Sequence, residues 1–227
     1  GTDDPAVLAE LARGRMRSKL AALERALTGR FREHHAFMVS DILAHLDYLE
    51  ERIEAFSARI EERIAPFAEA RDRWMSVPGI QRRTAEVLVA ELGAEVSQSF
   101  PSPRHLASWC GVAPATHESA GRRRPGGTTK GNRWVRGALY EAAMQAPRRP
   151  QSELGRRYRQ LHARRGHRRA AVAVSHALLR IGWQLDHTHS AYREPAPAEL
   201  DARERERTRR RALAQLTRLG YHVELRE

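Results

Sequence analysis

The chain has 227 residues, a net charge of +12 and a single cysteine. That length supports one or two modest domains with real cores, and the lone Cys110 excludes an internal disulfide and fits a cytoplasmic protein. No run of 18 or more apolar residues occurs, which excludes a membrane-spanning helix.

The opening Gly1-Thr2-Asp3-Asp4-Pro5 has neither the basic nor the apolar region of a signal peptide and reads as the edge of a longer chain. From there the charge is unevenly spread. Residues 1–74 carry 12 Lys+Arg against 14 Asp+Glu, residues 75–190 carry 19 against 7, and residues 191–227 carry 9 against 7. The central segment therefore holds an excess of +12, and a concentrated basic segment points to phosphates as partners. Codon bias explains arginine over lysine; it does not explain confinement to one segment.

The first third reads as helix. Met16, Leu20, Leu23, Leu27 and Phe31 recur at steps of three and four, and after Thr28-Gly29 the pattern resumes at Val39, Ile42, Leu46, Leu49, Ile53, Phe56, Ile60, Ile64 and Phe67. Such alternation predicts the a/d seam of a coiled coil, with charged flanks at Asp47, Glu50, Glu51 and Arg52. A bundle closing on its own chain and a dimerising arm both satisfy this stripe. A helix this long has little else to cover its apolar face, which favours a partner helix in a dimer or tetramer. Pro66 removes a helical hydrogen bond and bends or restarts the helix. His34 and His35 are expected in solvent or at a helix join.

A second unit begins near Trp74. Val77-Pro78-Gly79-Ile80 predicts a turn, followed by a helix from Arg83 to Leu92 that ends at Gly93. Ser102-Pro103 opens a short helix, the serine as N-cap and the proline at its first position, carrying Leu106, Trp109 and Cys110 and ending at Gly111. A glycine- and arginine-rich loop is predicted from Pro114 to Gly131, then helices over about 132–146, 152–165 and 168–187. Beyond His189 lie a proline-containing linker, a charged helix with Leu213, Leu216 and Leu219, a stop at Gly220 and a short alternating strand, Tyr221 to Leu225. The expected organisation is a coiled-coil arm over 1–74, a catalytic or binding domain over 75–190, and a C-terminal extension over 191–227, mostly α throughout.

Two places carry chemistry. Val77 to Ile80 with Thr84-Ala85-Glu86 resembles the turn of helix-hairpin-helix DNA-binding elements, although Gln81 replaces the usual second glycine. There Gly79 and Arg82 would hold a phosphate on backbone N–H groups at a helix N-terminus; a purely structural helical hairpin fits equally. The stretch from His117 to Arg136 is richer. Ser119 is followed by Ala120-Gly121, then Arg122, Arg123 and Arg124, and after the glycines come Lys130, Asn132, Arg133 and Arg136. A serine in a permissive backbone amid cations has the parts for attack on a phosphodiester, since guanidinium groups stabilise charge building on phosphoryl oxygens. Spacing alone equally allows an ordinary basic surface loop, and no general base is evident beyond the nearby His117 and Glu118. Trp109, Trp134 and Trp183 offer stacking surfaces for bases, yet each fits an amphipathic face, so core packing is the expectation. Asp186, His187 and His189 do not make a metal set: histidines two apart do not share a helical face.

From about Ile53 onward the chain resembles the C-terminal part of the insertion-sequence one-ten and one-sixteen family of bacterial transposases, the bridge-RNA-guided recombinases. The resemblance rests on Val77-Pro78-Gly79-Ile80, Thr84-Ala85-Glu86, Phe100-Pro101-Ser102, His105-Leu106-Ala107-Ser108-Trp109, Gly111-Val112-Ala113-Pro114, Glu118-Ser119-Ala120-Gly121-Arg122-Arg123, Lys130 to Arg136, and Arg168-Arg169-Ala170-Ala171, in that order. It implies a transposase in which Ser119 forms a phosphoserine link to DNA. Arg122, Arg123, Arg124, Lys130 and Arg136 would clamp phosphates, with Asn132 and Arg133 positioning the strand. It further implies DNA and a structured guide RNA as partners, a homo-oligomer, no cofactor in this segment, and a nucleoid-associated bacterial location. An RNase-H-like domain with magnesium-binding acids is expected N-terminal to the coiled coil. The residues by themselves leave open a non-catalytic DNA-binding and oligomerisation module, or a helical scaffold.

Overall fold

The computed structural model describes residues 2, 4–29, 31–119, 122–128 and 130–221, and of 114–119 and 122–126 the backbone alone. The chain is mostly α-helical and divides into two compact units, residues 1–63 and 64–227.

In the first unit, α1 (Pro5–Glu10) starts at Asp4, whose side chain accepts the Ala6 N–H at 3.0 Å. After a 3-10 turn at Gly14–Lys19, α2 (Leu20–Leu27) packs against α1. The interruption foreseen at Thr28-Gly29 is real, since α2 ends there and α3 (Glu33–Ile64) follows. His34 and His35 fall in the exposed first turn of α3. Along α3 the seam positions Ile42, Leu46, Leu49, Ile53, Phe56 and Ile60 are all exposed.

In the second unit the helix restarts around Pro66, with a 3-10 turn at Ala65–Phe67 and then α4 (Ala68–Met75). Five further helices build one core: α5 (Arg82–Leu92), α7 (Pro103–Trp109), α8 (Arg133–Ala143), α9 (Glu153–Arg165) and α10 (His167–Thr188), with a single turn of helix, α6 (Val96–Ser99), between α5 and α7. Ser102 caps its helix as the sequence predicts, and Ser152 does the same for another. Ser102 and Ser152 accept N–H groups of the first turns of α7 and α9 through their hydroxyls. Leu88, Leu106, Leu139, Leu178 and Leu179 are fully buried, each such burial being worth roughly 1.5–3 kcal/mol. α10 passes through the centre, in contact with α4, α6, α7, α8 and α9. A Cβ on Gly182 would stand 1.9 Å from the Trp74 ring, so the glycine is what admits the indole between α4 and α10. Asp186, nearly buried, accepts from Arg73 Nη2 at 3.1 Å and from the Ser97 N–H at 2.8 Å, tying α10 to α4 and α6. That carboxylate is a structural tie.

The predicted loop from Pro114 to Gly131 is instead largely a hairpin, β1 (Pro114–Ser119) antiparallel to β2 (Arg122–Thr128). Pro114, Gly121, Pro125, Gly126 and Gly127 suppressed every strand signal, but ladder hydrogen bonds join backbones and ask for no side-chain alternation in a two-stranded ribbon. The register slips between Pro114 and Thr116, whose partners Thr128 and Pro125 are separated by the Gly126-Gly127 pair. An extra residue in one strand is the mark of a bulge, which glycine accommodates. Beyond α10, α11 (Pro197–Arg218) lies against α9 through the Arg156–Asp201 pair and the Gln160–Glu204 hydrogen bond at 2.6 Å. The strand expected from Tyr221 to Leu225 falls outside the described residues after Tyr221.

Candidate nucleic-acid interface

The ribbon is anchored at both ends to α7. On entry, the N–H groups of Val112 and Ala113 both donate to the Ala107 carbonyl, at 3.0 and 3.1 Å. On exit, Gly131 lies so close to the end of α7 that a Cβ there would stand 2.3 Å from the Cys110 carbonyl carbon. Only glycine fits. Cys110 is itself buried, and burial pushes its thiol up to about 12, which leaves it a neutral packing group.

Asn132 then starts α8. Its Oδ1 accepts the N–H groups of Trp134 and Val135, at 2.9 and 3.0 Å, while Nδ2 donates to Glu91 Oε2 at 2.6 Å. Sequence reasoning saw a polar residue beside cations. It had no way to find the Glu91 partner on α5, 41 positions earlier. Lys130 and Arg133 are exposed and Arg136 is half-buried, so the first turns of α8 present cations next to the ribbon exit.

The guanidinium carbon of Arg133 lies 4.4 Å from the centroid of the Trp134 ring. Trp134 is 57% exposed and Trp109 46%, against the expectation that both pack into the core. Trp109 closes α7 and Trp134 is the second residue of α8, and each stands beside a fully buried residue, Cys110 or Val135, which takes the inward position and leaves the indole out. Trp183, mid-helix, does pack against the core, its Nε1 donating to the Phe100 carbonyl at 2.8 Å.

Within the ribbon, Ser119 pairs with Arg122, Glu118 with Arg123 and His117 with Arg124. A serine and three successive arginines are thereby brought to one end of one hairpin, with Lys130 following β2 and Arg133 opening α8.

The turn at Val77 to Ile80 is closed by the Ile80 N–H donating to the Val77 carbonyl at 3.0 Å. Gly79 has φ +95°, and a Cβ on it would meet the Ala142 carbonyl oxygen at 2.7 Å, so this turn is seated on the end of α8. Arg82 Nε and Arg83 Nη1 donate to the two oxygens of Glu86, each at 2.8 Å. Glu86 is 5% exposed, and a carboxylate so placed needs such partners. A groove of about 430 Å³ lies at the turn, with Arg148 and Arg149 among its lining residues.

Neither Asp186 nor its neighbours gather as metal ligands. His187 stacks on Trp183 with ring centroids 5.0 Å apart, and His189 takes the left-handed cap of α10 at φ +47°. No group of three or more His, Cys, Asp and Glu side chains converges among the described residues, and no helix among them is long and apolar enough to cross a membrane.

Residues 71–159, from α4 through most of α9, match the Transposase IS116/IS110/IS902 family. The likeness to that family lies in this segment of the chain. The turn, the ribbon and α8 all lie inside the matched span. A Pseudomonas aeruginosa protein named "Probable family 20 transposase" is 28% identical over 160 residues, covering 69% of this chain and 46% of that protein. A Streptomyces coelicolor protein named "Insertion element IS110 uncharacterized 43.6 kDa protein" is 40% identical over 72 residues, 30% of this chain and 16% of that one. The chain spans less than half the length of the curated relatives it matches.

Proposed function

We propose that this chain belongs to a transposase that cleaves and exchanges DNA strands, with Ser119 as the nucleophile. The observation that supports it best is the ribbon register, in which Ser119 faces Arg122 at one end of a hairpin inside the family-matched segment. In the reaction the Ser119 oxygen attacks a backbone phosphorus, the new O–P bond forming as the bond from phosphorus to a deoxyribose oxygen breaks. The serine gives up its proton and the leaving oxygen takes one. Phosphoester bonds are conserved in number, so attack by a deoxyribose hydroxyl of another strand reverses the step without outside energy. Arg122, Arg123 and Arg124 stabilise the developing charge on the phosphoryl oxygens. Lys130, Arg133 and Arg136 hold neighbouring phosphates, Asn132 keeps the start of α8 in place, and the turn at Gly79 with Arg82 offers a sequence-independent contact.

The exposed apolar stripe of α3 suits a second copy of the chain, which would bring two ribbons to two DNA molecules. A structured RNA is the guide the resemblance implies. The same resemblance assigns Mg2+ to acidic residues of another domain.

The test is trapping on matched DNA with the intact transposase. A covalent protein–DNA adduct is expected, and it disappears in Ser119→Ala. An adduct that survives the substitution removes Ser119 from the reaction, and salt-sensitive binding with no adduct at all returns the segment to a non-catalytic DNA-binding module.

A further inference from the structure

Outside the ribbon, positive charge is concentrated a second time where α9 meets α10. His162, Arg164, Arg165, His167, Arg168 and Arg169 fall within eight residues, and every residue from 162 to 169 is exposed. Where α9 has carboxylates within reach it uses them, as in the Arg156–Asp201 pair with α11. Among the described residues, the four arginines of the corner form no such pair.

The arrangement is unfavourable in the free chain. Arg164 and Arg165 stand in the last turn of α9, where a helix dipole welcomes cations, but Arg168 and Arg169 stand in the first turn of α10, where it opposes them and no acidic residue compensates. All four crowd around one glycine, Gly166, at φ +77°. None of them adds to the core. A polyanion laid across the corner turns the repulsion into attraction.

One face of α8 joins this corner to the ribbon exit. Arg133, Arg136 and Tyr140 recur at helical spacing, and the Tyr140 hydroxyl lies 3.4 Å from Nε2 of His167. Between them Gly137 keeps the face open, since a Cβ there would meet nothing within 4 Å. Seven residues of helix span about 10 Å, roughly three base-pair steps along a DNA axis.

We propose that the α9–α10 corner is a second contact for duplex DNA, gripping the backbone beyond the phosphate held at the ribbon. The proposal rests on the ribbon reading for where that DNA begins, and commits to duplex DNA because one face of α8, with Arg133 and Arg136 at its start and Tyr140 beside His167, leads from that point to the corner. Guanidinium-to-phosphate contacts of this kind position the duplex without reading its sequence.

Fluorescence anisotropy with the full chain and a labelled duplex of roughly three helical turns, titrated across salt concentrations, tests it. Replacing Arg164, Arg165, Arg168 and Arg169 together by Gln is expected to lower the slope of log affinity against log salt by about 3.6, four contacts at about 0.9 each, with the all-Lys counterpart retaining both slope and affinity. Arg164→Gln and Arg168→Gln singly, each worth about 0.9 in slope, keep the test decisive if the fourfold variant misfolds. An unchanged slope, a Lys variant as weak as the Gln one, or a loss confined to a structured RNA competitor overturns the proposal. Ser119→Ala adduct trapping reports separately on the ribbon, so a failure there leaves the corner's slope change standing.

Discussion

Asn132 joins two elements in one side chain: its amide oxygen caps α8 through the Trp134 and Val135 N–H groups while its amide nitrogen holds Glu91 at the end of α5. The cations after the ribbon are therefore aimed by a residue that carries no charge. Asn132→Ala removes the cap, at a cost of about 1 kcal/mol, and strips a partly buried carboxylate of its partner. Urea unfolding is expected to show a total loss of about 2 kcal/mol, together with weaker DNA binding. Unchanged stability would contradict the cap. Asn132→Asp should keep the cap but set two carboxylates against each other.

Gly131 faces the backbone of Cys110 and Gly111 at distances no Cβ tolerates. Gly131→Ala must push the ribbon exit away from α7, an overpacking change costing about 1–3 kcal/mol. The adduct yield is expected to fall further than the stability does, because the displaced strand carries Lys130 with it. Thermal melts read alongside trapping yields separate the two effects. A variant with wild-type melting would disprove the close contact.

His176, half-buried on α10, is held below the ordinary histidine value by burial and then by Arg157 and Arg180. The unfolded chain takes up a proton near pH 6.5 that the folded chain accepts only at lower pH, so this group's contribution is complete above that point and declines as the solution is acidified. Urea midpoints at about pH 7.5 and 5.5 should fall less in His176→Gln than in the parent. Equal falls would place the acid sensitivity elsewhere.

The stripe on α3 predicts self-association. Light scattering should give the chain a multiple of 25.8 kDa, and Leu46→Lys with Ile53→Lys should return it to a single mass, since both positions are exposed in the free chain and lie on the seam. A parent chain that scatters as one copy ends the idea of a dimerising arm in this segment.

The helices of the second unit were legible because their signals are local. Ser102-Pro103 and Gly93 mark ends through bonds to residues a few positions away, and the apolar periods of α5 and α10 need only their own segments to be recognised. The hairpin was not legible, because its ladder is made by backbone atoms and the glycines and prolines that fill it look like loop. Trp109 and Trp134 misled for a different reason: the period does not say which of two adjacent apolar residues turns inward, and here Cys110 and Val135 do.

By itself, then, the sequence settled the mostly helical class, the basic central segment and the order of motifs that marks a transposase family, since each is a property of neighbours along the chain. Only the folded chain decided that Ser119 lies opposite Arg122, that Asn132 answers to Glu91, that Asp186 is a tie between helices, and that Trp74 occupies the gap over Gly182. Those relations join residues up to 113 positions apart. All but the first, a pairing within one hairpin, exist only once folding has brought distant segments into hydrogen-bonding or packing contact.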